Sequence, residues 1–122
     1  MEKNDVVSIW FGNFETEEEF EEFISEKYDE EGDVLSTFMT SFGIDFIDTD
    51  FQEVLFQEVI TIDDLSQFSY AESFIDKINK DILQLSNCVI FLYDFNYSGK
   101  IKSSNNLNFI GSYKYEKNKT ED

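Results

Sequence analysis

The chain has no histidine, no arginine and no proline, and only one cysteine, Cys88, in 122 residues. Each absence removes a class of chemistry. Without histidine there is no Ser-His or Cys-His nucleophile and no imidazole metal ligand. Without arginine there is no bidentate phosphate clamp. A lone cysteine excludes an internal disulfide and a cysteine-based zinc cluster. The five glycines fall in neither a phosphate-cradling P-loop nor a GxGxxG fingerprint. Basic patches with interleaved aromatics, the mark of a nucleic-acid binder, are missing. No apolar run is long enough to span a bilayer, and Met1-Glu2-Lys3-Asn4-Asp5 is too polar to open a signal peptide. The expected location is therefore the cytoplasm.

What is abundant is acid and phenylalanine. There are 27 Asp and Glu against 9 Lys, a net charge of −18. Such a surface repels nucleic acid and anionic lipid, and attracts and steers cationic partners. With 41% hydrophobic residues, 17% aromatics and 14 Phe, the chain builds a real core and is not a disordered acidic tail. No repeat and no Pro/Gly/Ser linker divides it. Residues 1–122 read as one domain with a frayed tail from about Glu116.

Hydrophobic periodicity gives the elements. Val6–Gly12 reads as a strand ending at the Gly12-Asn13 turn signal. Thr16 and Glu19 form a capping box for a helix with Phe20, Phe23, Ile24 and Lys27/Tyr28 on its buried stripe. Residues 28–33 are an acidic loop. Leu35, Phe38, Met39 and Phe42 predict a short helix capped near Ser36 and ended by Gly43. The stretch 44–62 is ambiguous, with a strand favoured around Val54 and Phe56. Ser69 and Glu72 predict a capped helix carrying Phe74, Ile75, Ile78, Ile82 and Leu85. Cys88–Tyr93 is a continuous apolar run, expected at the centre of the sheet and covered on both faces. Leu107–Tyr115 alternates, and is expected to pair antiparallel beside it. The order β-α-α-β-α-β-β implies an α+β fold, a mixed or antiparallel sheet packed by helices.

The acid is unevenly spread. Residues 1–33 carry 13 acids against 2 Lys, a net of −11, whereas residues 98–122 carry 3 acids against 5 Lys, a net of +2. The pairs Glu17–Glu21, Glu18–Glu22 and Glu22–Glu26 set like charges at i,i+4, each costing a helix about 0.2–0.5 kcal/mol. A face meant only for solubility would mix in lysine. The candidate partner-binding residues are therefore Glu17, Glu18, Glu21, Glu22 and Glu26, the loop acids Asp29, Glu30, Glu31 and Asp33, and, as a second tier, Asp45, Asp48 and Asp50. A calcium loop at Asp29–Asp33 does not fit: the glycine is fourth from Asp29 where an EF-hand needs the sixth, and no Glu occupies the twelfth position. No metal, cofactor or catalytic residue is expected. Cys88 reads as a small core hydrophobe. Trp10 reads as core, with a partner anchor as the alternative.

Three blocks carry a resemblance. They are Val7-Ser8-Ile9-Trp10-Phe11-Gly12-Asn13-Phe14 with the Glu-rich helix ending in Lys27-Tyr28; Phe42-Gly43-Ile44-Asp45-Phe46 with Asp50-Phe51; and Asn87–Phe95 with Asn106-Leu107-Asn108-Phe109-Ile110-Gly111, read as a C-terminal hairpin. In this order they resemble the bacterial immunity protein 22 family over nearly the whole chain. The resemblance implies a small cytosolic protein that binds and neutralises the toxin of a polymorphic toxin system, with no catalytic residues. A cationic nuclease is a toxin that an acidic inhibitor would suit. A DNA mimic that inhibits a DNA-binding host protein is the alternative, and a carboxylate-dependent enzyme a third. A toxin reading frame beside the gene favours the first, broad affinity for DNA-binding proteins the second, and turnover without a partner the third.

Overall fold

A computed structural model of the chain describes residues 1–117. Its framework is a five-stranded sheet in the order β4-β5-β1-β7-β6, with every pairing antiparallel. The strands are β1 (Glu2–Gly12), β4 (Gln52–Phe56), β5 (Cys88–Phe95), β6 (Ser103–Ser104) and β7 (Leu107–Lys114). The helices are α1 (Glu17–Ile24), α2 (Thr37–Phe42), α3 (Ile62–Leu65) and α4 (Lys80–Leu83), and β2 (Lys27–Tyr28) with β3 (Val34–Leu35) forms a separate hairpin. The α+β class and the approximate element order are as the sequence predicts.

Both faces of the sheet are covered. Trp10, Ile90 and Leu92 face one layer, built from α1, α2 and residues 44–51. Val7, Ile9, Phe11, Val89 and Phe91 face the other, built from residues 60–83. This is why β1 and β5 read as continuous apolar runs: alternate residues enter different cores. Ser8, the polar residue in the middle of β1, is satisfied there. Its hydroxyl donates to the Phe95 carbonyl at 2.7 Å and accepts the Tyr97 N–H at 2.9 Å.

Four expectations need correction. First, β1 and not β5 is the middle strand, and β7 pairs with β1 rather than with β5, Val7 facing both Tyr93 and Tyr113. The connection 96–106 is long enough to carry the chain past β1, so β5 and β7 are not a hairpin. Second, α1 stops at Ile24 because Ser25 turns extended (ψ 131°). Lys27 and Tyr28 then pair with β3, and Tyr28 is 78% exposed instead of lying on a buried helical stripe. Third, Leu35 precedes the Ser36 cap, on β3 and outside α2. Fourth, the helix expected from Ser69 to Leu85 is broken into short turns, Ala71–Ser73, Ile75–Lys77 and α4. Ser69 does not cap it: its N–H (3.0 Å) and its hydroxyl both bond the Glu53 carboxylate on β4. Tyr70 is left-handed (φ 60°) and Ile78 is extended (ψ 136°), so no helix can run through them. Phe74, Ile78 and Leu83 reach the core, while Ile82 and Leu85 stay at the surface.

Other local signals hold. Thr16 accepts the Glu19 N–H at 3.1 Å as a simple cap and not as the expected box, Ser36 accepts the Met39 N–H at 3.1 Å, and Gly43 ends α2 in the left-handed region (φ 69°). The strand favoured around Val54 is β4. Of the expected tail, residues 118–122 lie outside the described residues; Glu116 donates its N–H to the Ser73 hydroxyl at 3.1 Å and Lys117 donates to Asp94 at 3.0 Å. Asp94 also accepts the Tyr115 hydroxyl at 2.7 Å and the Asp5 N–H at 2.8 Å. Burial opposes its charge, but these donors and Lys117 outweigh that and hold its carboxyl below the usual range.

The Gly12-Asn13-Phe14 block has a physical reason. The Asn87 side chain accepts the Phe14 N–H (3.0 Å) and donates to the Phe14 carbonyl (2.7 Å), and Asn13 donates its N–H to the Asn106 carbonyl at 2.9 Å. The chain thus passes so close to 106–107 that a Cβ on Gly12 would run into the Asn106 carbonyl oxygen and lie 2.8 Å from Leu107 Cδ1. Gly12→Ala should therefore destabilise the protein by about 1–3 kcal/mol, the usual cost of overpacking. Urea titration checks this; an unchanged midpoint would show that the 106–107 turn can yield.

Candidate functional site

The layer formed by α1, α2 and residues 44–51 gathers the acid. Residues 13–51 contain 14 acids and one lysine, a net of −13, whereas residues 60–83 on the opposite face contain 5 acids and 2 lysines, a net of −3. All twelve predicted carboxylates are exposed. The reason is local: α1 spends Phe20 and Phe23 on the core, against Phe14, Phe38 and Phe56, and turns every glutamate outward.

The predicted residues divide into three groups. Glu17, Glu18, Glu21 and Glu22 share the exposed side of α1, whose last turn carries no basic residue. Lys27 makes an ion pair with Glu22. Glu26 is not on the helix, since it follows the Ser25 cap, so the expected Glu22–Glu26 helical pair does not exist. In the second group Asp29 is a turn-former: its carboxylate accepts the N–H groups of Glu31 (2.8 Å) and Asp33 (2.9 Å), which closes the β2–β3 hairpin over Gly32 (φ 86°) and leaves Glu30, Glu31 and Asp33 at the tip. Among the described residues no three carboxylate or cysteine side chains are grouped to hold a metal ion.

The third group, Asp45, Asp48 and Asp50, borders a feature that the sequence reading does not anticipate. A groove of about 280 Å³ opens between residues 44–51 and the adjoining ends of β1 and β5. Its lining includes Met1, Phe46, Phe51, Leu92 and Phe95, with Glu2, Asp45 and Asp48 among its acids. Phe46 is 71% exposed and Phe51 47%. A signal is present in Ile44-Asp45-Phe46-Ile47-Asp48: these five residues mix apolar and acidic side chains with neither a 2.0 nor a 3.6 period, so no single face can bury all the apolar ones.

Trp10 belongs to the core, fully buried, and is not a surface anchor. Burial pushes the Cys88 thiol up to about 12, only partly offset by its hydrogen bond to the Gly12 backbone, so it is protonated at neutral pH. Burial, reinforced by the Glu53 charge, likewise raises the Tyr93 hydroxyl, which donates to the Ser69 carbonyl at 2.7 Å. These bonds tie β5 to the end of β1 and to residue 69. Among the described residues no helix is long and apolar enough to cross a membrane.

The fold and this face together define an α+β protein with an acidic display surface beside an apolar groove. Its family follows from comparison: the family model described as immunity protein 22 matches residues 7–116, and the chain belongs to that family. Comparisons with curated proteins and with solved structures give no match.

Proposed function

We propose that this chain neutralises a cognate toxin by binding it through the acidic layer of α1, the β2–β3 hairpin and residues 44–51. The observation that carries this reading is the concentration of carboxylates on one side of a member of the immunity protein 22 family. The toxin is cationic, and a nuclease fits best: an enzyme that must hold a polyanion presents a positive surface, which carboxylates can cover. The protein works by occupying that surface and not by turnover, as is general for immunity proteins, and it works in the cytoplasm, where the producing cell is vulnerable.

Co-expression tests this. The toxin domain encoded by the neighbouring reading frame should arrest growth when produced alone. Together with this chain it should be harmless and should co-purify as a complex that weakens as salt rises. Growth arrest that persists at an excess of this chain, with no complex recovered, would sink the proposal.

A further inference from the structure

Residues 44–51 are pinned at several points without forming a long element. Gly43 closes α2, Ile44 and Ile47 are buried, and Asp48 accepts the Asp50 N–H at 3.0 Å to start the turn Thr49–Phe51. Between these pins the ring of Phe46 is held out in water. Scattered apolar residues on a surface need no explanation, but Phe46, Phe51 and Met1 line one groove over Leu92 and Phe95 and make a contiguous patch. At about 280 Å³ the groove is smaller than most small-molecule pockets, which run about 300–1,000 Å³, and suits a side chain better than a free ligand.

Charge decides what fills it. Glu2, Asp45 and Asp48 line the groove, and none has an ion-pair partner among the described residues; Asp94, the fourth acid of the lining, is paired with Lys117. A second copy of this chain would bring another −18 and, in a twofold pairing, the same carboxylates against each other. The occupant must therefore be cationic around an apolar centre. We propose that a toxin segment inserts one large apolar side chain between Phe46 and Phe51, while lysines or arginines flanking it pair with Asp45 and Asp48. This rests on the toxin-neutralising reading above and adds a division of labour to it: the exposed carboxylates of α1 and of the groove rim steer the encounter, and the phenylalanines of the groove hold the complex.

Kinetics separate the two roles, because exposed rim charges act on association and buried aromatic anchors on dissociation. The probe is the toxin domain of the neighbouring reading frame, inactivated and immobilised. Phe46→Ala and Phe51→Ala should each speed dissociation about 30-fold, as expected of hot-spot residues, with association changed less than about threefold. Asp45→Asn combined with Asp48→Asn should slow association and flatten its salt dependence; asparagine keeps the acceptor that Asp50 needs. Leu85→Ala is the control, since Leu85 is 76% exposed but lies at the other end of β1, where Asn13 bonds its carbonyl. Thermal melts should show the Phe46→Ala protein folded. If the wild type binds and neither phenylalanine variant dissociates faster, the groove assignment is wrong while neutralisation stands. If the wild type does not bind this toxin, the neutralising reading fails and the groove assignment falls with it.

Discussion

Replacing Trp10 by alanine should remove about 3–5 kcal/mol of stability, the range for deleting a large buried aromatic. Trp10 is fully buried, and its ring lies 5.0 Å from Phe38, 5.8 Å from Phe42, 5.4 Å from Tyr97 and 5.1 Å from Phe109, centroid to centroid. Aromatic pairs of this kind add about 0.5–1.5 kcal/mol beyond area burial, so the loss falls toward the upper end of that range. A domain of this size has about 5–15 kcal/mol in all, so the loss takes a large share of it. Trp10→Phe should cost less than half as much. The indole Nε1–H has no hydrogen-bond acceptor among the described residues, so phenylalanine strands no partner. Urea denaturation followed by far-UV dichroism compares the three proteins. Equal midpoints for Trp10→Ala and wild type would contradict this packing account. A toxin-binding defect in Trp10→Ala would report unfolding, since the residue has no surface to offer a partner.

Changing Glu18, Glu21 and Glu22 together to glutamine should slow association with the toxin about tenfold at low salt, at the modest end of electrostatic steering effects of roughly 10–1,000-fold. The difference should vanish as salt shortens the screening length to about 3 Å near 1 M. Stability should hold or rise slightly. The substitution relieves the like-charge pairs Glu17–Glu21 and Glu18–Glu22, each costing about 0.2–0.5 kcal/mol. It gives up the exposed Glu22–Lys27 ion pair, and such pairs are worth about 0–1 kcal/mol. Association rates against ionic strength, with melts alongside, decide the matter. Wild-type rates at every salt concentration would mean that the α1 face is merely solvated and that the toxin docks elsewhere.

How legible the molecule is in its sequence depends on how local each determinant is. Caps and stops are written within a few residues, so Thr16, Ser36 and Gly43 can be read directly. The run Cys88–Tyr93 announces a strand buried on both faces. The partner of that strand is not written locally: β7 joins β1 through hydrogen bonds across about a hundred positions, and the alternating pattern 107–115 fits a hairpin with β5 equally well. The false helix at 69–85 has a similar cause. Its apolar residues do recur at helical spacing, but the tertiary bonds from Glu53 to Ser69 compete successfully with the cap. For the candidate site, the acid was visible by counting. Its gathering on one face, and the groove beside it, required knowing that α1, α2 and residues 44–51 all pack on the Trp10 side of the sheet. Glu26 shows the limit of pattern reading: the first helix is expected to reach Lys27/Tyr28 but ends at Ile24, which takes Glu26 off it.

The central position of β1 also sets a timetable. Its eleven residues are made well before those of its two neighbours, β5 and β7, which include Tyr93 and Tyr113, the cross-strand partners of Val7. Pairings of such long sequence separation form late and carry a large loop-closure penalty. Translation at about 5–20 residues per second leaves the strand unpaired for several seconds, with Val7, Ile9, Trp10 and Phe11 open to solvent on both sides. The sheet therefore cannot close before β7 is made, and a chain cut short before β7 leaves its middle strand with a bare edge. Synthesis through β7 becomes a condition for a complete sheet, so copies cut short before it should be cleared by proteolysis rather than persist as partial inhibitors.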